Sequence, residues 1–494
     1  MFFSSFLFIV CFWPAVTLVY FVLNRLKWRK SGAYWLILAS LYFYGCWSYW
    51  FVTLLLFSMA VNYGIGRVIW EHKGIGKGKP VLMAGIAFNG VLLIFFKYHN
   101  FLMGSCISIL SPTLELGKII FPIGISFYTF VQIAFLVDTF RRKTDKVTLL
   151  DYALFVSFFP KLIAGPIVRY KEMMPQFKEA TSGLVNYENV SKGLFLFAVG
   201  LVKKTAIADT MSLWVNAGYG SPETLDCFSA WITSLSYTFQ IYFDFSGYTD
   251  MALGIAYVLN IRLPINFNSP YKAINIQEFW RRWHITLMHF LRDYIYIPLG
   301  GNRFGSLKTF RNILITFFIG GIWHGAGWTF AVWGLLHGMA AVVLRIWRGF
   351  DIRMPKILAW FLVFNFVNMA WVFFRAKDLG QALAILKLMF LGPIPSWENL
   401  VAFFSNQSGF LAIYGVTIGK SKFALGVNTE IALLIIGSFL LVLLSRNSME
   451  LVSRFRPTLV RALAVSSLLF FGMICLFKKK QSDLFTFSFR NGPV

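Results

Sequence analysis

ILITFFIGGIWHGAGWTFAVWGLL, residues 313–336, is apolar on both sides of GIWHGAGW (321–328), and at its centre it sets one titratable side chain, His324, among glycines. A helix that is hydrophobic all round belongs in a membrane or a deeply buried core. The surrounding apolar stretch, 309–347, is long enough for two spans of about 20 residues each. A break between them is expected near the glycines.

Outward from this stretch, the same character continues to both ends of the chain. The 494 residues are 57% hydrophobic, 19% aromatic and only 14% charged, where soluble proteins carry about 25% charged residues. Apolar runs fall near 2–23, 33–45, 48–64, 81–97, 119–138, 147–165, 191–202, 226–260, 309–347, 357–374, 424–445 and 458–477. They predict an all-α polytopic membrane protein with about 10 to 12 crossings, organised as one bundle over residues 1–494. The runs 33–45 and 191–202 are too short to cross alone, and 226–260 reads as a span with an interfacial extension.

The net charge of +25 sits mainly in short loops, at RLKWRK (25–30), 67–79 and RRKTDK (141–146). That is the positive-inside pattern of a cytoplasmic-membrane protein, not a nucleic-acid surface. The same loops could also hold anionic lipid headgroups or face an anionic donor. The first apolar run has no basic residue before it and reads as an uncleaved span with its N-terminus outside. The basic stretches SRNSMELVSRFR (445–456) and KKK (478–480) cannot share a side if one span separates them. Five scattered cysteines without a CxxC give no disulfide framework and no metal site.

The stretch 261–305 is amphipathic, rich in Trp and Arg, and fenced by Pro264, Pro270 and Pro298. It reads as interfacial or re-entrant, with a helix over 277–296. On that helix His284 falls on the apolar face, within about 60° of Trp280, Leu287, Met288, Leu291 and Ile295. His289 falls on the opposite, solvated face with Arg282 and Asp293. His284 is either a core histidine bonded to a carbonyl or a working group, since ionisable side chains at membrane depth are costly.

The same geometry puts Gly320, Gly321 and Gly327 within about 60° of His324. These glycines have two readings, close helix packing or a slot for substrate beside the imidazole. A neutral imidazole is a suitable general base near pH 7. His337 points the other way and reads as structural or interfacial. In a third cluster Gln240 and Asp244 form an i, i+4 pair, with Arg281 and Arg282 as the natural partners for the carboxylate. That pair is either a brace for the bundle or part of the substrate site. There is no phosphate-binding GxxxxGK[ST], no GxSxG elbow and no HExxH.

Six stretches resemble the membrane-bound O-acyltransferases, specifically the bacterial branch that contains the alginate O-acetyltransferase membrane subunit. They are FPIGISFYTF (121–130), FPKLIAGPIVRYKEM (159–173), IYFDFSGYTDMALG (241–254), FNSPYKAINIQEFWRRWHITL (267–287), LRDYIYIPLGGNR (291–303) and GGIWHGAGWTFAVWGLLHG (320–338). The resemblance implies a ring of helices around a thinned centre crossed by a tunnel. It implies His324 as the catalytic histidine and His284 as its motif partner, with Trp280, Arg281, Arg282 and Trp283 lining or bracing the site.

It also implies the chemistry. An acyl group, expected to be acetyl, would come from a cytosolic thioester such as acetyl-CoA, with no bound cofactor. It would pass toward a polysaccharide hydroxyl outside the bacterial cytoplasmic membrane, with help from a periplasmic or extracellular acyltransferase partner. Alginate-like polymers, cellulose and peptidoglycan are candidate acceptors. D-alanyl transfer to teichoic acid, a transporter and a secretion scaffold are the other readings. Some relatives end in an aromatic tail with a relay tyrosine. Here the basic and aromatic tail, 478–494, ends FTFSFRNGPV with Thr486 and Ser488 but no tyrosine, which leaves only a hydroxyl relay through Ser488.

Overall fold

A backbone without water around it must bond to itself, and a helix does so within one segment. The computed structural model describes residues 1–72, 75–103, 119–179, 183–396 and 427–478, and its regular elements there are all helical. The tail hydroxyls Thr486 and Ser488 lie outside the described residues, as do Lys479 and Lys480.

Helices Leu7–Arg25, Tyr49–Glu71, Gly78–Met103, Trp328–Phe350, Lys356–Arg375 and Leu459–Phe477 are long and apolar enough to cross a bilayer. Ile125–Phe140, Leu379–Leu391 and Glu430–Leu444 are shorter apolar helices. The outer helices turn apolar side chains outward, Leu18, Leu38, Val91 and Phe470 among them, as a lipid solvent allows.

The helices around His324 are labelled in chain order. They are α1 (Gly78–Met103), α2 (Ile125–Phe140), α3 (Tyr187–Val202), α4 (Cys227–Val258), α5 (Ile276–Arg282), α6 (Ile285–Leu291), α7 (Ser306–His324), α8 (Trp328–Trp347) and α9 (Lys356–Arg375).

α4 corrects the expectation of a span with an interfacial extension. It is one continuous helix of 32 residues, started by the Asp226 side chain accepting from the Ser229 N–H. It is buried along most of its length, including Gln240, Asp244, Thr249 and Asp250. Its neighbours are protein, not lipid, so it carries polar groups that a lipid-facing span would not. α3 packs closely on it through two glycine pairs. A Cβ on Gly193 would stand 2.6 Å from the Gly254 carbonyl, and one on Gly247 would stand 2.7 Å from the Gly200 carbonyl.

The segment after α4 does not form the helix expected over 277–296. α5 and α6 are separate, divided by an extended Trp283 and by His284 at φ 43°, ψ 52°. A helical wheel over this stretch therefore has no meaning across the break. Asn266 holds the break open. Its carbonyl accepts from the Ile285 N–H at 3.0 Å, and its Oδ1 accepts from the Thr286 hydroxyl at 2.6 Å. The Asn268 N–H bonds the Arg282 carbonyl at 2.9 Å. These bonds satisfy a non-helical backbone enclosed by protein.

Two of the basic loops meet on one face. Arg142 donates to the carbonyls of Trp70, at 2.8 Å, and His72, at 3.1 Å, which joins two of the three stretches expected in the cytoplasm. Arg169 and Arg292 both pair with Asp293 nearby. Burial pushes the Asp293 carboxyl up, but hydrogen bonds from Arg292 and Arg169 outweigh it and hold the group below its usual range.

Candidate active site

The apolar stretch 309–347 folds as the hairpin α7–α8, broken at residues 325–327 as its glycines suggested. The glycines do different work from the slot considered above. A Cβ on Gly321 would meet the Phe330 carbonyl and stand 2.9 Å from the Gly334 Cα, so this position is where α7 and α8 touch backbone to backbone. A Cβ on Gly320 would reach the Leu291 side chain at 3.0 Å, and one on Gly327 would make ordinary contacts of 3.6 and 3.8 Å. Packing therefore accounts for Gly321, and none of the three lines the cavity beside His324.

That cavity, about 50 Å³, lies where α7 ends and the break between α5 and α6 comes closest. His324 and His284 both line it, with ring centres 6.2 Å apart. Lys97 of α1 and Ser126 of α2 are its other polar residues. Trp283, Phe245, Trp371 and Phe374 close much of the rest. A wider cleft of about 980 Å³ runs past Trp47, Trp50 and Ile120, but no ionisable side chain is among the described residues lining it. Size alone would choose that cleft, and chemistry chooses the small one.

His324 is the last residue of α7, half-buried among the rings of Trp323, Trp333 and Phe374, at centre distances of 4.9, 5.2 and 5.1 Å. His284 is 1% exposed and stands edge-on to Phe245 at 4.7 Å. Its Nδ1 is buried without a hydrogen-bond partner among the described residues.

The remaining residues singled out in the sequence divide by position. Trp283 lines the cavity. Trp280 stands one layer behind, donating its indole N–H to Nδ1 of the fully buried His337 at 3.2 Å. Trp333 lies between His337 and His324. Arg282 braces the re-entrant turn by donating to Glu278 at 2.8 Å and to the Asn268 carbonyl at 3.1 Å. Arg281 and His289 are exposed.

Asp244 does not meet either arginine. It pairs with Lys204, which also holds Asp209 at 3.1 Å. The arginines are already engaged on the re-entrant turn or exposed, while the lysine is held against α4. Gln240 is buried beside neither histidine, and its Oε1 has no hydrogen-bond partner among the described residues.

Lys97 was missed. It stands alone in LLIFFKYH (92–99), where it looks like the polar end of a span. The cost of an ion at membrane depth, applied to the histidines, applies equally to it. Its ammonium donates to the Ser126 hydroxyl at 3.2 Å and to the Trp323 carbonyl.

Comparison with known proteins identifies the family. Residues 102–377 match the model of the MBOAT, membrane-bound O-acyltransferase family. A peptidoglycan O-acetyltransferase of Helicobacter pylori is 42% identical, covering 99% of this chain and 97% of that protein. A probable alginate O-acetylase of Pseudomonas aeruginosa is 39% identical over 79% of this chain and 75% of its own length. A teichoic acid D-alanyltransferase of Bacillus subtilis is 25% identical over 52% and 69%.

Proposed function

Because this chain belongs to the membrane-bound O-acyltransferase family and is a multi-pass membrane O-acyltransferase, we propose that it moves an acetyl group from acetyl-CoA to hydroxyls of peptidoglycan outside the cytoplasmic membrane. The observation that carries the reaction is the pair of imidazoles, 6.2 Å apart, at one small cavity. Peptidoglycan is favoured as acceptor because the Helicobacter relative matches over 99% of the chain, whereas the alginate O-acetylase matches over 79%. The face that carries the basic loops is assigned to the cytosol.

In this reading His324 accepts the proton of the attacking hydroxyl. The oxygen bonds to the thioester carbonyl carbon, the C–S bond breaks, and the thiolate leaves with the proton that His324 took up. His284 orients the second reactant through Nδ1, which has no hydrogen-bond partner among the described residues. The aromatic walls exclude water, which would otherwise hydrolyse the thioester. A positioned general base contributes about 10²- to 10⁴-fold, so His324→Ala should lose that much turnover at unchanged membrane abundance.

The test joins membranes carrying radiolabelled acetyl-CoA with mass spectrometry of the cell wall from a deletion strain. Acetyl esters should disappear from peptidoglycan and return with the wild-type chain but not with His324→Ala. Loss of acetate from an exopolysaccharide instead would overturn the acceptor. Loss of D-alanyl esters would overturn the donor, and full activity in His324→Ala would overturn the site.

A further inference from the structure

The part of the cavity that the reaction above leaves unused is its cation. Lys97 lies in a single π-helical turn, Ile94–Tyr98, within an otherwise α-helical span. Such turns insert one extra residue and re-aim the side chains that follow. Here they aim two successive side chains at the end of α7. Lys97 donates to the Trp323 carbonyl and Tyr98 donates to the Ile322 carbonyl. Both carbonyls belong to the last turn of the helix that ends in His324.

An ammonium has three donors, and two of those on Lys97 are spent on Trp323 and Ser126. Its Nζ also stands 5.6 Å from the centre of the Trp323 ring. None of the ion pairs formed among the described residues includes Lys97. Among the described residues, every other polar side chain lining the cavity is neutral or a histidine.

We propose that Lys97 holds the oxyanion of the tetrahedral intermediate, while clamping the helix end that presents His324. The proposal rests on the acyl-transfer reading. When the hydroxyl oxygen bonds to the thioester carbon, the C=O π pair moves onto the carbonyl oxygen. The third N–H of Lys97 meets that charge. The pair then returns, the C–S bond breaks, and the thiolate departs with the proton from His324. Placed in a cavity closed mainly by aromatic rings, Lys97 in its protonated form acts with little screening. Its bonds to Trp323 and Ser126 mean that it need not reorganise as the charge develops.

The experiment uses the full chain in nanodiscs, measuring thiol released from acetyl-CoA with solubilised peptidoglycan glycan strands as acceptor. Lys97→Met removes charge and hydrogen bonds together. Lys97→Gln keeps a donor for the helix end but carries no charge. Tyr98→Phe removes the neighbouring cap alone. Losing an oxyanion donor costs about 10²- to 10³-fold in kcat. Both neutral Lys97 variants should fall by that much with KM for acetyl-CoA nearly unchanged, Lys97→Arg should recover part of it, and Tyr98→Phe should lose only a few-fold.

Wild-type kcat in Lys97→Gln would overturn the proposal, because capping alone would then explain the lysine. A rise in KM at unchanged kcat would overturn it too, making Lys97 a donor-binding group. Failure of both neutral variants to accumulate as folded protein would assign the charge to folding and equally end the proposal. His324→Ala runs in the same assay. If it stays active, the acyl-transfer site itself is misplaced. If it is dead while Lys97→Gln is active, only the role of Lys97 falls.

Discussion

Gly321→Ala adds one methyl group where two helices meet without side chains between them. That methyl would stand 2.9 Å from the Gly334 Cα and 3.1 Å from its nitrogen, besides meeting the Phe330 carbonyl. These are backbone atoms, so no rotamer can yield and the hairpin itself must open. Overpacking costs about 1–3 kcal/mol, and this geometry belongs at the upper end, near 3. Alanine in a helix regains about 1 kcal/mol over glycine, so the net loss is about 2 kcal/mol. Gly320→Ala presses only on the movable end of Leu291, at 3.0 Å, and the helix gain of about 1 kcal/mol nearly cancels the cost. Gly327 is extended, its Cβ contacts are 3.6 Å or longer, and alanine there should stay within about 0.5 kcal/mol. The assay is the thermal midpoint of the detergent-solubilised chain, followed by size-exclusion fluorescence, beside acetyl transfer per folded molecule. Gly321→Ala should lose most, with Gly320→Ala and Gly327→Ala both close to wild type. Gly321→Ala should lower turnover with stability, because His324 stands one turn further along the same helix. An unchanged midpoint with turnover abolished in Gly321→Ala would restore the slot reading and refute this one.

Two further outcomes follow from the buried polar groups. Lys204→Met should destabilise more than Asp244→Asn, because it leaves two carboxylates, Asp244 and Asp209, facing each other without their cation. Breaking a buried pair costs about 3–5 kcal/mol, and a midpoint unchanged in Lys204→Met would show that the pair braces nothing. Asn266→Ala removes the acceptor of the Thr286 hydroxyl but keeps the carbonyl that bonds Ile285. The Thr286 oxygen still accepts from the Ile167 N–H at 3.0 Å, but a buried hydroxyl proton left without an acceptor costs about 1–3 kcal/mol. Acetyl transfer should fall further than stability, since the same turn sets the His284 ring, and equal losses in both would count against that positioning role.

The membrane class, the hairpin break near Gly325 and the two histidines were legible because each leaves a local mark. Apolar length marks a span, and an imidazole among apolar residues marks an unusual cost. The partner of Asp244 was not legible. Lys204 lies 40 residues earlier in the chain, and EFWRRWH offered closer and more conspicuous cations. α4 was misjudged for a related reason. Hydropathy reports the contrast with lipid, and a helix ringed by protein has no such contrast to show. Lys97 was hidden by its position near the end of an apolar run, where a lysine ordinarily reaches for the membrane surface.

His284 shows what helical periodicity cannot carry. Projected on a wheel it pointed inward, and it does point inward, but by a different route. With helical dihedrals at this residue, α5 and α6 would be one rod of about 16 residues, roughly 24 Å long, and its ring would be fixed in register with Trp280 and Leu287. The left-handed conformation instead turns the chain between two short helices, and the ring lies across the end of α7. A non-glycine residue held there costs about 1–3 kcal/mol unless its surroundings determine it. Asn266 and the bond between Asn268 and Arg282 supply that determination on the chain side, and Phe245 does so at the ring. Glycine at this position would relieve the backbone and fit the turn with less strain. The chain places histidine there instead, and the strained residue is the one whose ring faces His324 across the cavity. Strain and imidazole falling on one residue argue that the turn is built to deliver that ring to the reaction chamber.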